Sequence, residues 1–189
     1  MKNHLYFKKL KLWCTVFIFL LFACGDKPEE SCVAPIGGEF IEVRSIGTID
    51  IQFINDLRSS FGIPESFTAK YNVDVYAVNY ATTDPDGKEA TATGAIYIPK
   101  TGNDYPRSLL SGQHGLTIKK QDVPSILPLY GYLGLFGAAK GYASVQADYL
   151  GLGNSDVQNQ PVNQKSSAVA VVDLIDGMRH YACENDIPL

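Results

Sequence analysis

Histidine is scarce in this chain, at three in 189 residues, and that scarcity removes one class of chemistry. His114 and His180 have no ligand-spaced partner on a common element, so metal catalysis has no donor set and no metal is expected. Basic residues are also short once the N-terminus is set aside. Four of the 16 lysines and arginines, Lys2, Lys8, Lys9 and Lys11, lie in the first eleven positions, leaving 12 against 20 acidic residues in the remainder. A net charge of −8 argues against nucleic acid or anionic lipid as a partner. No internal repeat or low-complexity tract is present, which excludes a repeat architecture.

Those four lysines precede an uncharged apolar run from Leu12 to Ala23. The run is too short to span a bilayer comfortably, and a basic flank, a short apolar region and a small residue before the cut make a signal peptide over 1–23. The sequence Leu21-Phe22-Ala23-Cys24 resembles a bacterial lipobox, although Phe22 is bulkier than such motifs usually carry there. The resemblance implies that Cys24 becomes the acylated first residue of an exported, envelope-located chain. Removal of 1–23 leaves 166 residues, enough for one domain with a real core. Of the cysteines that remain, Cys32 and Cys183 either pair in an oxidising compartment or stay as thiols, and their spacing decides neither.

From residue 24 to 38 the chain is charged, proline-bearing and poor in apolar residues, and is expected to be a flexible tether. Glu39–Ser45 alternates as a short strand, and Thr48 is the expected N-cap of a helix with Ile51, Ile54, Leu57 and Phe61 at helical spacing and Gly62 as its stop. These elements are expected to precede the main sheet as an addition. Tyr71–Thr83 and Glu89–Ile98 are β-rich runs joined by Asp84-Pro85-Asp86-Gly87, a hairpin turn with proline at its second position and glycine supplying positive φ. Ser108–Gly112 is a third strand ending at Gln113-His114-Gly115. A loop over Leu116–Leu129, a helix over Tyr130–Lys140 and a strand over Tyr142–Ala147 follow. Ser166–Glu184 is expected as an amphipathic helix capped by Ser166 or Ser167, burying Ala168, Val171, Val172, Ile175, Met178 and Ala182, with Asp173, Asp176 and Arg179 projecting elsewhere. This order is α/β, with an antiparallel pair at one edge and parallel strands after it.

The strand over Tyr142–Ala147 runs directly into Asp148, Gly151 and Gly153, and loops at the carboxyl ends of strands are where open α/β sheets place ligands. The combination of a strand ending Gln113-His114-Gly115, the dipeptide Pro124-Ser125, Gly141-Tyr142, the run Asp148-Tyr149-Leu150-Gly151-Leu152-Gly153-Asn154-Ser155 and Asp176-x-x-Arg179 resembles the N-terminal half of the α/β-hydrolase superfamily, in particular its secretory lipase and esterase group. Resemblance covers roughly residues 71–189. It implies a partial α/β-hydrolase fold in 39–189 whose sheet lacks its C-terminal half.

For His114, Gly115, Leu116 and Thr117 the resemblance implies an oxyanion hole, with glycine allowing a sharp turn at the strand end so that amide N–H groups of Leu116 or Thr117 face a developing alkoxide. The family often has threonine directly after His-Gly, whereas Leu116 intervenes here before Thr117. For Asp148, Gly151 and Gly153 it implies support of the site's mouth, the carboxylate accepting backbone N–H groups and the glycines permitting close approach. A dinucleotide site is excluded, because Asp156 stands where the third glycine of that fingerprint belongs and would repel pyrophosphate.

What is missing is the nucleophile. No Gly-x-Ser-x-Gly occurs; Gly153-Asn154-Ser155-Asp156-Val157 comes nearest, but Val157 replaces the second glycine and Asp156 would sit beside the oxyanion. No acid or histidine completes a triad, so no catalytic set is complete. The sequence thus points to the N-terminal part of an exported carboxylic-ester hydrolase, inactive as it stands, acting on an ester or lipid substrate when complete. No cofactor and no nucleic acid are expected, and membrane attachment through Cys24 is. A lipid-anchored, non-enzymatic binding module on half of the fold is the competing reading. The strand at Ser108–Gly112 is expected to be an exposed apolar edge.

Overall fold

A computed structural model describes residues 32–102, 108–117, 119–158, 163–187 and 189. The chain divides into two compact units, 1–32 and 33–189, and every element below belongs to the second. The expected signal peptide, Cys24 and most of the tether lie outside the described residues. Gly37 and Gly38, the end of that tether, pack against Asp173, and the Gly38 N–H donates to the Ala81 carbonyl (2.8 Å). Order therefore begins before residue 39.

Eight elements follow: β1 (Phe40–Ile49), α1 (Ile51–Ser60), β2 (Val73–Thr83), β3 (Glu89–Pro99), β4 (Leu109–Gly112), α2 (Tyr132–Ala139), β5 (Ala143–Ala147) and α3 (Gln164–Glu184). Among the described residues the strands form one mixed sheet of order β1-β2-β3-β5-β4, with only the β4–β5 pair parallel. The fold is α/β with a partial, five-stranded sheet, as expected. The β1 strand is longer than its alternating core and pairs with β2 from Phe40↔Tyr80 to Ile49↔Val73, so it is an integral edge of the main sheet and not an addition before it.

The β2–β3 turn is the one its residues specify. Asp84 Oδ1 accepts from the Asp86 and Lys88 N–H groups (2.9 Å each), and Gly87 sits at φ 81°, a conformation in which a β-carbon would be strained. Period-2 alternation along the central strands then splits the core in two. Tyr80, Ile96, Val145 and Ala147 face α3 residues Leu174, Met178 and Ala182, while Val75, Ala95 and Tyr97 face Ile54 of α1 and Leu135, Phe136 and Ala139 of α2. Each buried tyrosine satisfies its hydroxyl: Tyr80 Oη donates to the Ala170 carbonyl (2.8 Å) and Tyr97 Oη to the Pro128 carbonyl (2.9 Å).

Both helix starts differ from expectation. Asp50, not Thr48, caps α1, accepting from the Phe53 N–H (2.9 Å), while Thr48 stays in β1 and donates to Asp74. Asn163, not Ser166 or Ser167, caps α3 by accepting from the Ser166 N–H (3.2 Å). The buried face of α3 is also rotated from the expected one: Ser166, Ala170, Leu174, Gly177, Met178 and Ala182 are inside, Ala168 is exposed and Val172 is 54% exposed. Asp173 is turned towards the sheet, where Thr82 Oγ1 donates to it (2.7 Å). Leu174→Ala should therefore cost about 2–4 kcal/mol and Val172→Ala within about 0.5 kcal/mol in urea unfolding; the reverse order would restore the face drawn from sequence.

Candidate functional site

The carboxyl ends of the two parallel strands lie side by side, with Gly112 of β4 opposite Gln146 of β5. Residues 113–117 leave one and Asp148 leaves the other, so this end of the sheet collects most of the sequence-derived candidates. Asp148 is 0% exposed and organises the region. Its Oδ2 accepts from Thr93 Oγ1 of β3 (2.6 Å) and from Ser125 Oγ, and its Oδ1 accepts from the Ser125 N–H (3.1 Å). The carboxylate thus ties β3 to the segment around Ser125; its one backbone N–H donor is Ser125, not the loop that follows Asp148, and Thr93, 55 residues away, left no local signal. Burial raises the Asp148 titration above the ordinary carboxylate range, opposed by the Ser125 and Thr93 hydrogen bonds and by the field of His114.

Gly153 explains itself here. At φ 58°, a β-carbon would collide with Thr93 Oγ1 and Asp148 Oδ2, while its N–H donates to the Lys120 carbonyl (2.9 Å). Gly151 is likewise at positive φ. Tyr149, two residues before Gly151, adopts φ 71°, uncommon for an aromatic residue. Its hydroxyl lies 3.1 Å from Gln113 Oε1 and 3.2 Å from the His114 carbonyl oxygen, and its ring centroid lies 4.5 Å from that of His114.

The loop 114–117 is held from one side. His114 Nε2 is 3.2 Å from the Asp148 carbonyl oxygen and Nδ1 is 2.8 Å from the Gly115 carbonyl oxygen. Among the described residues, no acceptor is bonded to the N–H groups of Gly115, Leu116 or Thr117. Leu116 is 73% exposed. The stated reason for Gly115 does not hold: its φ is outside the left-handed region and a β-carbon there would meet nothing within 4 Å, so the turn after β4 needs no glycine.

Ser155 is 3% exposed and its hydroxyl donates to the Thr91 carbonyl (2.7 Å), while Asp156 accepts from the Thr91 N–H (3.0 Å). Both close the 151–156 loop onto β3, which sequesters the Ser155 hydroxyl. No group of three or more His, Cys, Asp or Glu that could hold a metal occurs among the described residues. Cys32 and Cys183 are both disulfide-bonded, which settles the alternative of free thiols. No helix among the described residues is long and apolar enough to cross a membrane.

Beside this end of the sheet, β4 is paired on one side only among the described residues. A groove of about 730 Å³ runs along it, lined by Phe67, Leu110, Tyr132, Leu133, Phe136 and Tyr142. The expected apolar edge is therefore present.

No protein-family model and no curated protein matches the sequence. Solved structures do match. A protein assigned as a hydrolase from Legionella pneumophila is 25% identical with a TM-score of 0.72, over 80% of this chain and 41% of that one. The rice cell wall degrading esterase LipA from Xanthomonas oryzae, in a ligand-bound form, is 29% identical with a TM-score of 0.65, over 82% of this chain and 40% of that one; a point mutant of it gives 27% and 0.68. The chain is structurally hydrolase-like and spans about two fifths of the length of these proteins.

The raised Asp148 titration has a defined sign. A carboxyl that binds its proton more tightly folded than unfolded adds stability that is complete below the unfolded value, about pH 4, and is lost as pH rises through the folded one. The stability of the wild type minus that of Asp148→Asn should accordingly be larger near pH 4 than at pH 7. Equal differences from urea midpoints at the two pH values would mean that burial does not govern this carboxyl.

Proposed function

We propose that this chain is the oxyanion-bearing N-terminal portion of an exported carboxylic-ester hydrolase that works through an acyl-enzyme. The observation that carries the reading is the loop 114–117, whose three consecutive N–H groups are unbonded among the described residues at the carboxyl end of β4. Unbonded, pre-oriented backbone donors stabilise charge that develops on a carbonyl oxygen during acyl transfer. His114 and Asp148 hold the loop, and Gly151 and Gly153 let the neighbouring loop close beneath it. Similarity to a hydrolase and to a cell-wall-degrading esterase supports the reaction class.

Within these 189 residues the chemistry stops at stabilisation. Ser155 is sequestered by Thr91, and His114 uses both ring nitrogens on carbonyl oxygens, so neither acts as nucleophile or base. The attacking serine would have to come from chain outside these 189 residues, which span about two fifths of the related structures. It would attack the ester carbonyl to form a tetrahedral alkoxide in the 114–117 loop, expel the alcohol and leave an acyl-serine for hydrolysis. The N-terminal pattern supports export and acylation at Cys24, with the tether placing the fold near a membrane. No cofactor enters this scheme.

The test is direct. The 189-residue chain should leave 4-nitrophenyl esters unhydrolysed and take no label from a fluorophosphonate. Translation of the DNA after codon 189 in three frames should reveal Gly-x-Ser-x-Gly within about a strand's length, with a later Asp and His. Joining that sequence in frame should restore turnover. A soluble, monomeric 189-residue product that unfolds cooperatively, with no such motif downstream, would instead favour a lipid-anchored binding module. Labelling with palmitate in an exporting host, lost in Cys24→Ser, checks the anchor.

A further inference from the structure

Four exposed apolar side chains gather into one cluster on the α2 side of the sheet. Phe61, just past the end of α1, is 55% exposed, Phe67 36%, Tyr132 39% and Leu133 44%. The buried Phe136 ring joins them, its centroid lying 6.3 Å from that of Phe61, 6.0 Å from Phe67 and 6.5 Å from Tyr132, and Phe61 stacks on Tyr132 at 5.4 Å. The four leave roughly 300 Å² of apolar surface in water, taking about 200 Å² for a whole aromatic side chain. Patches of that size often mark interaction sites.

The cluster adjoins the 730 Å³ groove along β4 and shares Phe67, Tyr132 and Leu133 with it. A ridge and a groove therefore lie side by side. Lys140 is the only charged residue lining that groove, and its Nζ sits over the Phe67 ring, 5.4 Å from the centroid. The other large groove, about 810 Å³ between β2, β3 and α3, is lined by Glu89, Asp156, Asp173 and Asp176 and by no cation. With 20 acidic residues against 16 basic ones, two copies repel each other least when they approach by the face whose groove holds no carboxylate.

The free edge of β4 selects among occupants. Its outward N–H and C=O groups need partners that an alkyl chain does not supply. A second β4 supplies donors and acceptors in equal number, and a two-fold axis sets the ridge of each copy against the groove of the other, as a self-complementary interface requires. We infer that the 189-residue chain forms a weak two-fold dimer through this face, β4 against β4, with Phe61, Tyr132 and Leu133 of each copy packed on the groove of the other. The apolar area from both ridges is small beside a standard interface, so the dimer is reversible and concentration-dependent. This inference goes beyond the hydrolase reading and does not rest on it.

Sedimentation velocity of the full chain carrying Cys24→Ser, so that no acyl group contributes, tests the dimer between about 1 and 200 µM, the range suited to a small interface. A reversible monomer–dimer equilibrium is expected. Leu133→Glu, added to that chain, places a carboxylate in both halves of the contact and should raise the dissociation constant at least about tenfold. Val172→Glu, at a 54% exposed site on α3, should leave it unchanged and controls for added charge. In a mixture of isotopically light and heavy copies, a short amine-reactive reagent should join Lys140 of one copy to Lys140 of the other. A monomer at every concentration, association equal in Leu133→Glu, growth past the dimer, or no Lys140–Lys140 link would overturn the inference. If Leu133→Glu does not fold, the stoichiometry and the cross-link of the parent chain decide.

Discussion

A carboxylate with no access to water has to be surrounded by donors, and that requirement shapes the whole upper edge of this sheet. Asp148 could not remain buried without Thr93 from one strand and Ser125 from a loop 23 residues earlier. Meeting its needs fixes where Ser125 sits beside the end of β5. It also fixes how tightly the 151–156 loop can fold, because only a residue without a side chain fits against the acid at position 153. Even Tyr149, in its uncommon backbone conformation, follows from the need to turn away directly after the acid. A strained residue of this kind persists only where its surroundings over-determine it, and here three separate segments do so.

The same arrangement explains how this end of the sheet is ordered in a chain that spans about two fifths of the related structures. The elements that meet around the acid are complete in themselves: β4, β5, the segment around Ser125, and the acid that joins them. Those solved structures are about twice as long as this chain. On the proposed reading, charge stabilisation and nucleophilic attack would be carried by different stretches of chain, the present residues accounting for the first.

Legibility in the sequence tracked distance along the chain. The Asp84–Gly87 turn was readable because every bond that makes it lies within four residues. The order of strands and helices was readable from periodicity, and the clustering of His114, Asp148 and Gly153 from a family resemblance. Helix caps were missed by a few positions, since Asp50 and Thr48 are equally good caps in isolation and β2 decided between them by claiming Thr48 for Asp74. The face of α3 was misplaced because its valines suggested a stripe that the sheet does not meet. Thr93 left no local signal at all. Neither did the paired acceptors around His114, which exist only because β4 and β5 end together. The one reason that failed outright, the glycine at 115, was borrowed from a motif and not demanded by the backbone.

β4 has four residues, which is about 13 Å of template. A newcomer aligning on so short an edge gains few backbone bonds, and short edges are one way natural sheets discourage unwanted pairing. The groove beside it offers much more, because tyrosine, leucine and phenylalanine side chains of α2 line it. Colloidal behaviour is therefore decided on the helix and not on the strand. Polar replacements on the outer surface of α2 would alter how this chain behaves at high concentration far more than any change to the hydrogen-bonding edge itself.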